Sequence, residues 1–152
     1  MADLAELDLG ERYALILGVT VLQHILMPSR LRASIDRLAA HLAPGGQIVL
    51  LEAAPSRQVS RCDSPVFVAR EAATYLAAFA QAGLRCVAIY GVDPAPFKIL
   101  FLPWYPRLPR PLALAGLVGV TALSFPLDVM GGRRLVYASW HKVFVLERAE
   151  SG

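Results

Sequence analysis

The stretch YALILGVTVLQHILMPSRLRASIDRLAAHLAPGGQIVLLE, residues 13–52, holds a strand, a helix and a second strand in succession. Residues 13–21 (YALILGVTV) are an apolar, β-branched run bounded by polar residues, the pattern of a strand buried on both faces, as in parallel sheets. Leu31, Ile35, Leu38 and Leu42 then recur at i, i+4, i+7 and i+11. This helical stripe lies behind Ser29 as a candidate cap and ahead of Pro44-Gly45-Gly46 as a stop. Residues 47–52 (QIVLLE) form the second apolar strand. Such a crossover unit almost always joins parallel strands with right-handed sense, so the expected class is α/β.

Outward from this unit, residues 53–68 are polar and irregular and predict a loop. Residues 69–82 place Tyr75, Leu76 and Phe79 on one helical stripe and stop at Gly83, a suitable left-handed cap, before a third strand at 84–90 (LRCVAIY). Residues 94–111 hold six prolines with Phe97, Phe101, Trp104 and Tyr105, a composition that excludes a long helix or a central strand. Residues 112–125 are almost entirely apolar and end at Pro126, Gly131-Gly132 marks a turn, and residues 142–147 (KVFVLE) predict a final strand. The chain reads as one domain, residues 1–152, in which residues 94–135 are an apolar, proline-rich insertion between the last two strands.

Apolar residues make up 56 % of the sequence and charged residues 18 %, against roughly 45–50 % and about 25 % in ordinary globular domains. The excess points to a surface meant for another chain, a hydrophobic substrate or a membrane. The net charge of +3 comes from scattered arginines without a basic run, which argues against a nucleic-acid partner. Cys62 and Cys86 form neither a disulfide framework nor a metal pair, so no metal site is expected and a reducing, cytoplasmic setting fits. The lead MADLAELDLGER lacks the apolar segment of a signal peptide.

Three local motifs, in this order of elements, resemble class I S-adenosylmethionine-dependent methyltransferases. The V-L-x-H turn after the family's fourth strand matches Val21-Leu22-Gln23-His24, and the L-x-P-G-G before the fifth matches Leu42-Ala43-Pro44-Gly45-Gly46. The F-x-x-A-G-L segment matches Phe79 to Leu84, and the last, antiparallel strand matches residues 141–146. The resemblance covers nearly the whole chain and implies a partial Rossmann-like sheet made of family strands 4, 5, 6 and 7, with helices on its faces.

The family's first three strands, its Gly-rich cofactor loop and its ribose-binding acid have no counterpart, since no GxGxG occurs; Ala14 also stands where the family often has Asp or Asn. The resemblance therefore implies the C-terminal half of a methyltransferase, binding S-adenosylmethionine weakly or not at all by itself. A complementary half, or a second copy, is expected to pair along the strand at 13–21, whose open apolar edge invites association. By the same resemblance Gly18, Val19, Thr20 and Gln23 pass the cofactor, His24 is the catalytic candidate beside the transferred methyl, and Glu52 meets a small-molecule substrate at the strand ends. Tyr13, Tyr75 and Phe79 read as core, and His141 and Lys142 as structural.

Two alternatives stand beside the enzyme. One is a non-catalytic dimerising or scaffolding module. The other is a peripheral membrane protein anchored through residues 97–127, with Trp104, Tyr105, Arg107 and Arg110 as an interfacial belt. Residues 111–127, 17 in number, fall short of the about 20 needed to span a bilayer.

Overall fold

The computed structural model describes residues 3–57, 64–94, 101, 104–131 and 135–149. In chain order these form β1 (Tyr13–Val19), α1 (Pro28–Ala40), β2 (Leu42–Ala53), α2 (Ala72–Gln81), β3 (Leu84–Pro94), α3 (Arg110–Gly131) and β4 (Ser139–Arg148). Short 3-10 turns stand at Leu4–Glu6, Leu22–His24, Tyr105–Arg107 and Val136–Ala138. The sheet order is β1-β2-β4-β3. β1 and β2 are parallel, and β4 runs antiparallel to both of its neighbours. The last strand is thus inserted between the second and third, as the sequence implies. Cys62, Gly132 and most of residues 95–103 lie outside the described residues.

Helix α1 begins at Pro28 behind Met27, and not behind Ser29, because the fixed φ of proline and its missing N–H suit a first helical turn. Its other end is tied down by Arg148 at the end of β4, which donates to the carbonyls of Ala39 at 2.6 Å and Leu42 at 3.1 Å. Pro44-Gly45-Gly46, expected as a stop between helix and strand, lies inside β2 as an irregularity. The register jumps from Tyr13 opposite Leu42 to Leu15 opposite Gln47. Gly46 is needed there, since a Cβ would come within 2.9 Å of the Ala14 carbonyl oxygen. Gly83 closes α2 at φ 71°, as its sequence position indicates.

Helices α1 and α2 cover one face of the sheet. Leu31 and Ile35 of α1, Tyr75 and Phe79 of α2, Ile48 and Leu50 of β2, and Phe144 and Leu146 of β4 form one buried cluster. The rings of Tyr75 and Phe79 each pack against Phe144, at 5.9 and 5.5 Å between centroids. Alternation along the strands sends the remaining side chains to the opposite face. There Leu15, Leu17 and Val19 are 54 %, 67 % and 64 % exposed. This corrects the expectation that the first strand is buried on both faces: the helices flanking it pack on its other side, and α3 lies against β3, across the sheet.

Helix α3 continues through Pro126 to Gly131, where the sequence led us to expect an end at the proline. Pro126 is on the exposed side of the helix, where solvent can satisfy the carbonyl that the ring leaves without a donor. Among the described residues no helix is long and apolar enough to cross a membrane.

Candidate functional site

The carboxyl ends of β1 and β2 finish together, with Val19 opposite Leu51 and the Thr20 N–H donating to the Leu51 carbonyl at 2.7 Å. Thr20 then leaves the strand at φ 54°, a left-handed conformation that a β-branched residue seldom adopts. Val21 turns helical, and Leu22–His24 close a 3-10 turn over the strand ends.

Glu52 pins this turn. One carboxylate oxygen accepts the N–H groups of Val21 at 3.0 Å and Leu22 at 2.8 Å, and the other accepts that of Gln23 at 3.0 Å. The side chain is fully buried. Burial pushes its pKa above the usual carboxylate value, against the lowering effect of the three N–H donors and of nearby His24. Gln23 is also turned inward: its Oε1 accepts the Ala53 N–H at 3.0 Å, and its carbonyl accepts the Val68 N–H at 2.9 Å. Lys142 stands opposite Glu52 on β4, yet its ammonium group donates to the carbonyls of Ala54 at 2.6 Å and Ser139 at 2.8 Å. Burial brings the Lys142 pKa down to about 8.

His24 is the exposed side chain of the turn. Its Nδ1 lies 2.6 Å from the Val66 carbonyl oxygen, so Nδ1–H is the donor and the neutral ring keeps its lone pair on Nε2. Phe67 meets the imidazole edge to face at 6.2 Å. Arg70 completes the assembly, with its guanidinium donating to the carbonyls of Leu22 at 3.2 Å, Ile25, and Leu26 at 3.2 Å. The segment before α2 is thereby laced onto the turn after β1.

The six residues singled out in the sequence converge on this end of the sheet but divide in two. Val19, Thr20 and His24 reach the surface. Gln23 and Glu52, expected to meet cofactor and substrate, instead spend their polar atoms on backbone groups inside the fold. Gly18, expected to admit a ligand, faces the core, where a Cβ would stand 2.6 Å from Cδ2 of Leu50. Arg70 was missed. Its signal was a basic residue just ahead of a helix N-terminus, where the helix dipole disfavours positive charge and some other partner is needed.

Neither of two cavities among the described residues is lined by any of those six residues. One of about 70 Å³ is enclosed by Leu4, Leu7, Tyr13 and His41; the other, a groove of about 450 Å³ between α1 and α2, is bordered by Arg32, Arg70 and Thr74. Among the described residues, no three His, Cys, Asp or Glu side chains are grouped so as to hold a metal. What the strand ends offer is a rigid turn presenting Val19, Thr20 and the Nε2 of His24 beside an uncovered apolar sheet face.

No family model and no curated protein matches the chain. Solved structures do. An O-methyltransferase from a trans-AT polyketide synthase multienzyme of Brevibacillus brevis, in complex with S-adenosyl-L-homocysteine, aligns over 97 % of this chain and 48 % of its own, at 16 % identity and a TM-score of 0.59. An S-adenosylmethionine-dependent methyltransferase from Clostridium acetobutylicum aligns over 98 % of this chain and 63 % of its own, at 7 % identity and a TM-score of 0.60. The cyclase SpnF aligns over 99 % and 55 %, at 13 % identity and a TM-score of 0.57. The chain thus spans between about half and two thirds of the length of these proteins. It has the α/β, Rossmann-like fold found in S-adenosylmethionine-dependent methyltransferases.

Proposed function

We propose that the chain supplies one wall of an S-adenosylmethionine-dependent methyltransferase site and works with a complementary segment that carries the rest of the cofactor cradle. The observation that supports this best is the coincidence of fold and exposed surface at one place. Where the family's sheet places its cofactor, this chain has Val19, Thr20 and His24 at the surface, beside a strand edge and an apolar face that nothing described covers. The residues present fit part of a cofactor: an apolar wall at Val19 and a polar corner at Thr20 and His24. Bound S-adenosylmethionine brings an electrophilic methyl group. His24 takes the proton of the acceptor at Nε2, held in that tautomer by the Val66 carbonyl. Glu52 and Arg70 are positioning residues that keep the turn in place.

The second reading is a non-catalytic module that associates through β1. It is favoured by the commitment of Gln23 and Glu52 to backbone groups, which leaves His24 as the principal reactive side chain at this end. The two readings part in a titration with S-adenosyl-L-homocysteine followed by amide chemical shifts. The methyltransferase reading expects shifts at Val19, Thr20 and His24 with a dissociation constant weaker than about 10 μM, or roughly −7 kcal/mol. Shifts that appear elsewhere and spare these three residues would sink it, and binding tighter than that limit would show that no complementary segment is needed.

A further inference from the structure

A second uncovered apolar surface lies at the other side of the sheet, on α3. Ala113 is buried and Gly116 packs against Phe101, whose ring atoms stand 2.3 Å from where a Cβ would be. The outer side carries Leu112, Leu114, Val118, Leu123 and Phe125, each more than half exposed. At 3.6 residues per turn these positions, with Ala115, Gly119 and Ala122 between them, spread over about 180° of the helix and about 20 Å of its length. Thr121 stands at the edge of this arc, and its hydroxyl donates to the Leu117 carbonyl at 2.8 Å.

Just before the helix, exposed Trp104 and Tyr105 stand on the 3-10 turn, and the Arg107 guanidinium lies 5.8 Å from the Trp104 ring centre. Arg110 opens the helix. Residues 101–126 contain both of these arginines and no acid.

We propose that α3 and the turn before it form a membrane-surface docking element that lies flat on an anionic lipid bilayer. Three features favour lipid over a protein partner. The apolar arc is about twice as wide as the roughly 100° stripe that a helix buries against a packed neighbour. The aromatic pair sits at one end of it, where amphipathic rings settle at headgroup level. From Phe101 through Pro126 the charges are positive, complementary to anionic headgroups, and the one acid of α3, Asp128, comes only in its last turn, beyond the apolar arc. The helix immerses its outer half among the acyl chains while Arg107 and Arg110 remain with the phosphates. This inference is independent of methyl transfer.

The test is co-sedimentation of the full chain with vesicles of phosphatidylcholine alone and of phosphatidylcholine with phosphatidylglycerol. Binding is expected to the anionic vesicles, weakening with salt, with a blue shift of Trp104 emission that a Trp104→Phe control removes. Replacing Leu114 and Val118 by Gln should weaken binding at least tenfold. Arg107→Gln with Arg110→Gln should cost about fivefold per arginine on anionic vesicles only. Circular dichroism confirms that each variant is folded. The proposal fails if the chain ignores both vesicles, or if Leu17→Gln on the bare sheet face abolishes binding while the α3 variants retain it. It also fails if the α3 substitutions abolish self-association in solution while leaving vesicle binding intact.

Discussion

The Glu52 carboxylate accepts the N–H of Leu22 at 2.8 Å across 30 residues of sequence, joining the end of one parallel strand to the turn that follows its neighbour. Glu52→Gln keeps the shape but sets an amide N–H₂ against backbone donors that need acceptors. The expected loss is about 2 kcal/mol of stability, the cost of a buried charge-assisted hydrogen bond with a donor left unpaired. Denaturant unfolding reads it directly, and a midpoint equal to that of the parent would remove Glu52 from its positioning role.

The pH dependence of that variant has a defined sign. The folded pKa of Glu52 is raised, so the native state holds the proton more tightly than the unfolded chain. This contribution is complete below the ordinary value of 4.5 and is lost as pH rises through the folded pKa. Glu52→Gln should therefore cost most at low pH, with the difference shrinking as pH rises through the folded pKa. A difference that instead shrinks on acidification would contradict the dominance of burial over the three N–H donors.

Lys142 has the opposite protonation logic. Its folded pKa is brought down to about 8 from 10.5 by burial. Its contribution to stability is complete above 10.5 and is lost as pH falls through about 8. The parent chain should thus gain stability between these values relative to Lys142→Met, whose side chain does not titrate. Parallel stability curves for the two proteins over that window would exclude the shift.

Thr20 stores strain at the site, because its φ of 54° places a β-branched side chain in left-handed space. Thr20→Gly relieves this and should stabilise the chain by about 1 kcal/mol after the entropy of glycine is counted, raising Tm by about 2–4 °C. If Thr20 also contacts the cofactor, the same variant weakens the S-adenosyl-L-homocysteine shifts as it gains stability. A loss of stability would mean that the threonine side chain holds the turn.

The sheet was legible because its strands are short apolar runs with turn formers between them, and the V-L-x-H and L-x-P-G-G motifs gave their order. The insertion of β4 between β2 and β3 followed from the resemblance, and Lys142 pairs opposite Glu52 as that order requires. The site was less legible. Hydrophobicity alone does not say which face of β1 is covered, so Leu17 looked like core. Glu52 and Gln23 looked like ligand groups because a sequence shows their type and place but not the backbone donors and acceptors that a tight turn leaves to be satisfied. The tether at Arg70 depends on contacts 44 to 48 residues away, which no local pattern encodes.

The uncovered edge leads to the last prediction. Among the described residues no strand lies beyond β1 in the sheet, so one side of its backbone ladder is open, while Leu15, Leu17 and Val19 line the face beside it. Helix α3 packs on β3 at the opposite edge and leaves β1 open. Each of the three side chains gains about 1.5–3 kcal/mol if fully buried, and an open apolar edge is a template for pairing. The chain should therefore associate through β1 at high micromolar concentration, either with itself or with the complementary segment proposed above. Leu17→Lys should abolish that association without unfolding the chain, since the position is exposed in the isolated fold. Light scattering that shows a monomer at this concentration, together with fast amide exchange from Leu15 to Val19, would exclude self-association and leave the complementary segment as the partner to be sought.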